Sequence, residues 1–255
     1  MQNYWYVRIQ VSLVIFFLLF FINCSAETIK ISAIDWCPQI CTDPEKPGYA
    51  IELVEKIYKD SKYQLDIQIY PWSRAIKNVR DGNADALLSP AKAEAPDLLF
   101  PKYGVGKQRM CFFTSKDSVW QYKGPDSLNN LQIGIATDTS IEELNGYLKT
   151  HPEQFQFQPY HERYVIQNAH KLNKHRIDTF LFTENTTRYI LAQADVWEKY
   201  RKAGCVSEAI IYMAFTPVDT SQQRVREMME FFDARMKKIN KTLYFSDLLD
   251  KYGLE

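Results

Sequence analysis

Apolar residues occupy alternate positions over residues 28–34 (Ile29, Ile31, Ala33) and again at Leu65, Ile67 and Ile69. That period of two is the mark of a half-buried strand. Between them, a stretch opened by Gly48 puts Ile51, Val54 and Tyr58 on one helical face, with Glu52, Glu55, Lys56 and Lys59 elsewhere. Pro71 predicts the start of a second helix and Gly82 its stop. Residues 84–88 form a short apolar run suited to a buried strand. The order β-α-β-α-β calls for a parallel sheet with helices on both faces.

The same order restarts after Gly124-Pro125. Residues 131–136 predict a strand, and Thr137-Asp138-Thr139-Ser140 the N-terminus of a helix running through Leu148. A brief strand at 155–157, a helix at 163–174, a strand at 178–182 and a helix at 184–193 complete a second α/β unit. Residues 209–215 then read as a strand, and 221–238 as an amphipathic helix with Val225, Met229, Phe232 and Met236 on one side. A short helix covers 245–249. This tail is expected to return to the first unit, so that the chain crosses between lobes near residues 103–110 and 210–215. Paired crossing strands make a hinge. The expected division is a first lobe at 27–105, a second at 106–210 and a return to the first at 211–255.

The first 26 residues stand apart. Arg8 precedes an apolar run at 11–22, followed by Cys24-Ser25-Ala26. The run is shorter than the roughly 20 residues of a bilayer span and matches a secretory signal peptide cleaved after Ala26. The alternatives are an uncleaved anchor, or a lipoprotein acylated at Cys24, against which Asn23 stands where a small residue is expected. The mature chain is therefore expected in the periplasm. Lys and Arg number 31 and Asp and Glu 31, a balance that supplies no long-range field for nucleic acid or an anionic membrane. A soluble monomer is expected.

Of the five cysteines, Cys37, Cys41, Cys111 and Cys205 lie beyond the leader. In an oxidising compartment an even number reads first as two disulfides. Cys37 and Cys41 close a small loop of turn residues, which leaves Cys111 with Cys205 to tie two distant strands. The rival reading is a metal site, but no histidine accompanies Cys37 and Cys41 at ligand spacing, and His161, His170 and His175 form no ligand pattern. His151 reads as a surface residue. No metal or cofactor is expected.

Several short motifs then occur in order: Asp35-Trp36, Gly48-Tyr49, Pro71-Trp72-Ser73-Arg74-Ala75, Gly82-Asn83-Ala84-Asp85-Ala86, Ser127-Leu128, Arg176-Ile177-Asp178 and Lys251-Tyr252-Gly253. Together they resemble the family 3 solute-binding proteins, the periplasmic receptors of polar amino-acid ABC importers. The resemblance implies a two-lobed α/β fold, each lobe a mostly parallel sheet flanked by helices. It also implies a ligand cleft between the lobes at the C-terminal ends of the strands, where small ligands settle in open α/β sheets. Carried over by position, the first lobe would offer Asp35, Trp36, Tyr49, Trp72 and Ser89, with Tyr103 nearby. The second would offer Thr139 and Ser140 at a helix N-terminus, and Thr183 and Glu184 after a strand. Trp72 also reads as a cap on the first-lobe core, Tyr49 as a helix-start staple, and Thr139 and Ser140 as N-caps that never meet a ligand.

The departures from the family bear on the ligand. Its amino-acid binders grip the ligand carboxylate with an arginine after the strand that corresponds to 84–88, and a bidentate guanidinium suits that task. Here Ser89-Pro90-Ala91-Lys92-Ala93-Glu94-Ala95-Pro96-Asp97 contains no arginine. By position Asp97 takes its place, and Lys92 offers only a point charge. The acidic residue that receives the ligand amine corresponds to Thr183, beside Glu184. Trp36, Tyr49, Trp72 and Tyr103 fall near the cleft, so an aromatic or cationic ligand fits better than a standard amino acid. Arg74 would reach an acid, or stand solvated one turn into its helix. The expected partners are a small solute and an inner-membrane ABC permease or periplasmic sensor. Two alternatives remain: a ligand-free sensory or scaffold protein, and a dehydratase-like enzyme on the same fold with Glu184 as general acid.

Overall fold

The computed structural model describes residues 26–137, 141, 143–218, 222–240 and 242–254. The predicted leader up to Ser25, Thr139 and Ser140 lie outside them. One eight-stranded sheet runs through the molecule in the order β2-β1-β3-β8-β4-β7-β5-β6. Its strands are β1 (Glu27–Ala33), β2 (Tyr63–Ile69), β3 (Ala86–Ala91), β4 (Gly106–Ser115), β5 (Ile133–Ala136), β6 (Phe155–Gln158), β7 (Thr179–Thr183) and β8 (Tyr200–Phe215). The helices are α1 (Tyr49–Tyr58), α2 (Trp72–Arg80), α3 (Asn145–Thr150), α4 (Tyr164–Asn173), α5 (Glu184–Gln193), α6 (Gln222–Ile239) and α7 (Tyr244–Lys251).

Each end of the sheet is a parallel trio. β1 pairs in parallel with β2 and β3, and β5 with β6 and β7. Two long strands join the trios: β8 runs antiparallel to β3, β4 runs antiparallel to β7, and the two pair with each other from Gly106–Ile211 to Ser115–Tyr200. The result is a two-lobed α/β fold with two crossing strands.

Alternation along the strands splits each lobe into two core layers. Ala86 and Leu88 face a core with Ile29, Ile31, Leu53 and Ile57, while Leu87 faces the opposite side with Ala75, Ile76 and Val79 of α2. In the other lobe Cys111, Phe113, Phe180 and Phe182 meet Tyr164, Val165 and Leu191 of α4 and α5. Phe112, Leu181, Ile133 and Ile135 turn the other way, onto Leu128, Leu144 and Phe155. A side-chain period of two allows nothing else once both faces are covered.

The tail packs on the first trio. Val225, Met228, Phe232 and Met236 of α6 and Leu248 of α7 lie in the core with Ile29 and Leu53, and Arg224 donates to Glu27 at 2.6 Å. Met229, predicted on that side, packs against the same core partly buried, and the fully buried Met228 is the residue the prediction left out. The strand expected at 209–215 begins already at Tyr200. Its first half carries charges and Gly204, so no local alternation marks it, and the ladder with β4 holds it extended. The helix expected through Leu148 is the short α3, whose N-cap is Leu144. Ile141 instead donates its N–H to Asn145 Oδ1 at 3.2 Å. Both disulfides are formed, Cys37–Cys41 and Cys111–Cys205. Among the described residues no helix is long and apolar enough to cross a membrane.

Candidate functional site

A cavity of about 560 Å³ opens where the two trios face each other. Every parallel strand delivers its C-terminal end there. Asp35 and Trp36 follow β1, and Tyr70, Pro71 and Trp72 lead from β2 into α2. Glu94 follows β3, Thr137 follows β5, Tyr160, His161 and Glu162 follow β6, and Phe182 and Thr183 end β7. Gln108 and Met110 of crossing strand β4 form part of the wall. Strand C-termini open such crevices because successive crossover helices leave to opposite faces of the sheet.

Local structure sets Trp36. The 36–41 loop is held by the Cys37–Cys41 bond, by a cis Cys37–Pro38 peptide, and by backbone pairing of Trp36 with Ile40. Gly48 closes against it with φ of 102°, where an added Cβ would stand 2.4 Å from the Gln39 carbonyl oxygen, so only glycine fits. Trp36 then buries its ring beside Ile34, Tyr160 and Phe182. Its indole Nε1 donates to Thr183 Oγ1 at 3.2 Å, joining the end of β1 to the end of β7 across the cleft. Tyr160 stacks on Phe182 at 5.0 Å.

The cavity's charges are acidic. Burial, and then the Glu162 carboxylate, hold the Asp35 carboxyl above its ordinary range, against a Thr42 backbone amide that lowers it. Burial and the charges of Asp35 and Glu162 push the Tyr160 phenol up. Glu94 accepts the Ala91 N–H at 2.7 Å, and burial raises its pKa to about 7 despite that bond. Gln108 Oε1 is buried and receives no hydrogen bond. No Lys or Arg is among the described residues that line the cavity. A group that donates several hydrogen bonds and carries positive charge would satisfy these acceptors together.

Asp35, Trp36, Trp72 and Thr183 of the predicted site residues thus come together. Thr139 and Ser140 fall outside the described residues, and the rest lie elsewhere. Tyr49 is fully buried in the first core, edge-on to Phe245 and Tyr252. Ser89 is fully buried and does not line the cavity. Tyr103 packs on the first core, and its N–H donates to Asp233. Lys92 lies over Phe100 and Tyr212. Arg74 is exposed with its guanidinium over Tyr70, 5.2 Å from the ring centre. Glu184 turns to Lys202 and Arg109, away from the cavity lining.

Asp97, placed by position where the family keeps its arginine, is on the surface in a two-bond pair with Arg80 at 2.6 and 2.7 Å. Glu94 is the residue of that segment that reaches the cavity. The chain shifts register between Leu88 and Ala91, around Ser89 with its φ of 71°, and bulges of this kind re-aim the side chains beyond them. Position along the sequence therefore misjudged this residue. Tyr160 and Glu162 were legible in principle, as the residues just after a strand in a lobe whose strand ends build the cleft.

No protein-family model and no curated protein matches the chain. Solved structures do resemble it. A histidine kinase sensor domain with similarity to periplasmic binding proteins superposes with a TM-score of 0.70 at 16% identity, covering 89% of this chain and 96% of that one. A substrate-binding protein of an ABC uptake transporter from Streptococcus pneumoniae, with bound histidine, gives 0.69 at 14% identity, over 91% and 94%. An ancestral amino-acid-binding protein, a precursor of cyclohexadienyl dehydratase, gives 0.66 at 14% identity, over 88% and 94%. The sheet order, the crossing strands and these superpositions together make this the two-lobed fold of the periplasmic binding proteins.

Proposed function

We propose that this chain is an extracytoplasmic binding protein that captures a small cationic solute between its lobes, for delivery to an ABC permease or a sensor. The lobes would divide at 105/106 and 210/211, with β4 and β8 as the hinge. The observation that carries the reading is the cavity lining: Asp35, Glu94 and Glu162 among Trp36, Tyr70, Trp72 and Tyr160, with no described Lys or Arg. Two like charges 4 Å apart repel by about 4 kcal/mol at an effective dielectric of 20. A ligand carboxylate would meet Asp35, Glu94 and Glu162 with no Lys or Arg among the described lining residues to offset them, whereas an ammonium is attracted by carboxylates and aromatic faces alike.

Isothermal titration of the twenty common amino acids beside their decarboxylated amines tests this directly. Each amine is expected to bind at least tenfold more tightly than its parent amino acid. Sub-micromolar binding of a common amino acid, or parents that match their amines, would refute it. Trp72→Ala is expected to weaken amine binding by more than tenfold, since losing a buried aromatic anchor costs about 2 kcal/mol or more. The ring is only partly buried against the α2 core layer, so the melting temperature of the unliganded variant should change little. A collapse in stability with unchanged affinity would assign Trp72 to the core.

Glu94 also supports an enzymatic reading, because a cavity carboxyl near pH 7 is suited to move protons. A dehydratase acting on cyclic acids, however, would bring its substrate carboxylate among three others. Glu184, the general acid expected from the sequence, is engaged by Lys202 outside the lining. Binding without turnover is the better account.

A further inference from the structure

We infer that the solute carries two cationic nitrogens separated by an apolar chain, one received between Asp35 and Glu162 and the other by Glu94. This rests on the reading of the cavity as a site for a cationic solute and goes further, to the ligand's length and valence. Asp35 lies at the end of β1 and Glu162 in the loop after β6, on facing sides of the cleft, and both charges act on Tyr160. Glu94 belongs to the loop after β3 and is tethered by the Ala91 N–H. The carboxyls do not converge on a point. Among the described residues, the one group of three metal-ligating atoms within 4.8 Å of one another is Cys111, Glu184 and Cys205, outside the cavity lining. A single metal ion therefore cannot serve all three acids.

The cavity volume of about 560 Å³ is far more than one ammonium group fills and lies in the range of sites for extended small molecules. The same cavity is lined by Trp72 and Tyr70, aromatic surface against which methylenes lose water. Gln108 Oε1, buried without a donor, offers a further neutral acceptor along the wall. A monocation would leave carboxylates buried and uncompensated, which is the costly arrangement in a closed cleft. A dication neutralises both ends and bridges the lobes, so its affinity is spent on the closed state.

The test is titration of 1,5-diaminopentane against 1-aminopentane, with diamines from three to six methylenes as a length series. The diamine is expected to bind at least tenfold more tightly than the monoamine, with an optimum length in the series. Glu94→Gln and Asp35→Asn should each bring the diamine down to monoamine affinity, while at most one of them affects the monoamine. Equal affinity of diamine and monoamine, or a series without an optimum, overturns the two-point site but leaves the cationic-solute reading standing. Failure of every amine to bind overturns both. The wild-type length series needs no variant, so a variant that failed to fold would not rescue the proposal.

Discussion

Removal of the Cys111–Cys205 bond, by replacing both residues with alanine, is expected to lower unfolding stability by about 3–5 kcal/mol. The two residues are 94 apart in sequence, and cross-linking a loop of that size removes a few kcal/mol of loop-closure entropy from the unfolded chain. The bond also pins a register. Cys111 faces Cys205 in the β4–β8 ladder, and the pairing shifts on both sides of it. Without the bond, the ladder that joins the lobes would have to find that register from weaker contacts. For a domain of this size the loss corresponds to a fall in melting temperature of about 10 °C. Urea denaturation under non-reducing conditions measures it, and a loss below about 1 kcal/mol would show that the ladder holds its register unaided.

Affinity for 1,5-diaminopentane, one end of which is proposed to meet Glu94, is expected to fall by about a hundredfold between pH 8 and pH 5, with the decline setting in near pH 7. Glu94 has a pKa of about 7 in the free protein because burial disfavours its charge. A cation recognises the carboxylate, so below pH 7 each binding event must first expel a proton, at roughly a tenfold loss per pH unit once protonation is complete. The diamine keeps its charge over this range, so the titrating partner is the protein. The unliganded protein should show the opposite sign. A carboxyl whose folded pKa lies above its unfolded value makes the fold more stable as pH drops from about 7 towards the ordinary carboxylate range, and less stable as it rises. Asp35, Glu162, His161, Tyr70 and Tyr160 share the cavity, so the comparison that isolates Glu94 is with Glu94→Gln. That variant should lose most of the slope. An identical slope in both proteins would assign the effect to another group.

Most of the first lobe was legible because its signals are local. Alternation over β1 and β2, Gly48 before α1, and Pro71 and Gly82 around α2 each act within a turn or two of chain. The same holds for α4 and α5. The first half of β8 was missed because its conformation is set from a distance: it is extended because β4 lies beside it. The helix expected to follow Thr137-Asp138-Thr139-Ser140 is α3, which begins at Asn145, where the Asn145 side chain accepts the Ile141 N–H.

The candidate site divides along the same line. Asp35, Trp36, Trp72 and Thr183 sit directly at strand or helix ends, so identifying the element was enough to aim the residue at the cleft. Tyr49 reads the same way but points into the core, because the face of α1 that begins with it is the buried one. Lys92 and Glu184 were drawn off by partners far along the chain, Tyr212 and Lys202. Local patterning was therefore sufficient for the α/β order and for the absence of a carboxylate-gripping arginine after β3. Which carboxyl stands in the cavity was settled by packing: Asp97 is drawn out to Arg80, while Glu94, beyond the register shift near Ser89, is held at the cavity by the Ala91 N–H. Hydrophobic periodicity is read over a few residues, whereas the aim of a side chain beyond a bulge depends on the neighbouring strand, which the sequence places more than a hundred residues away.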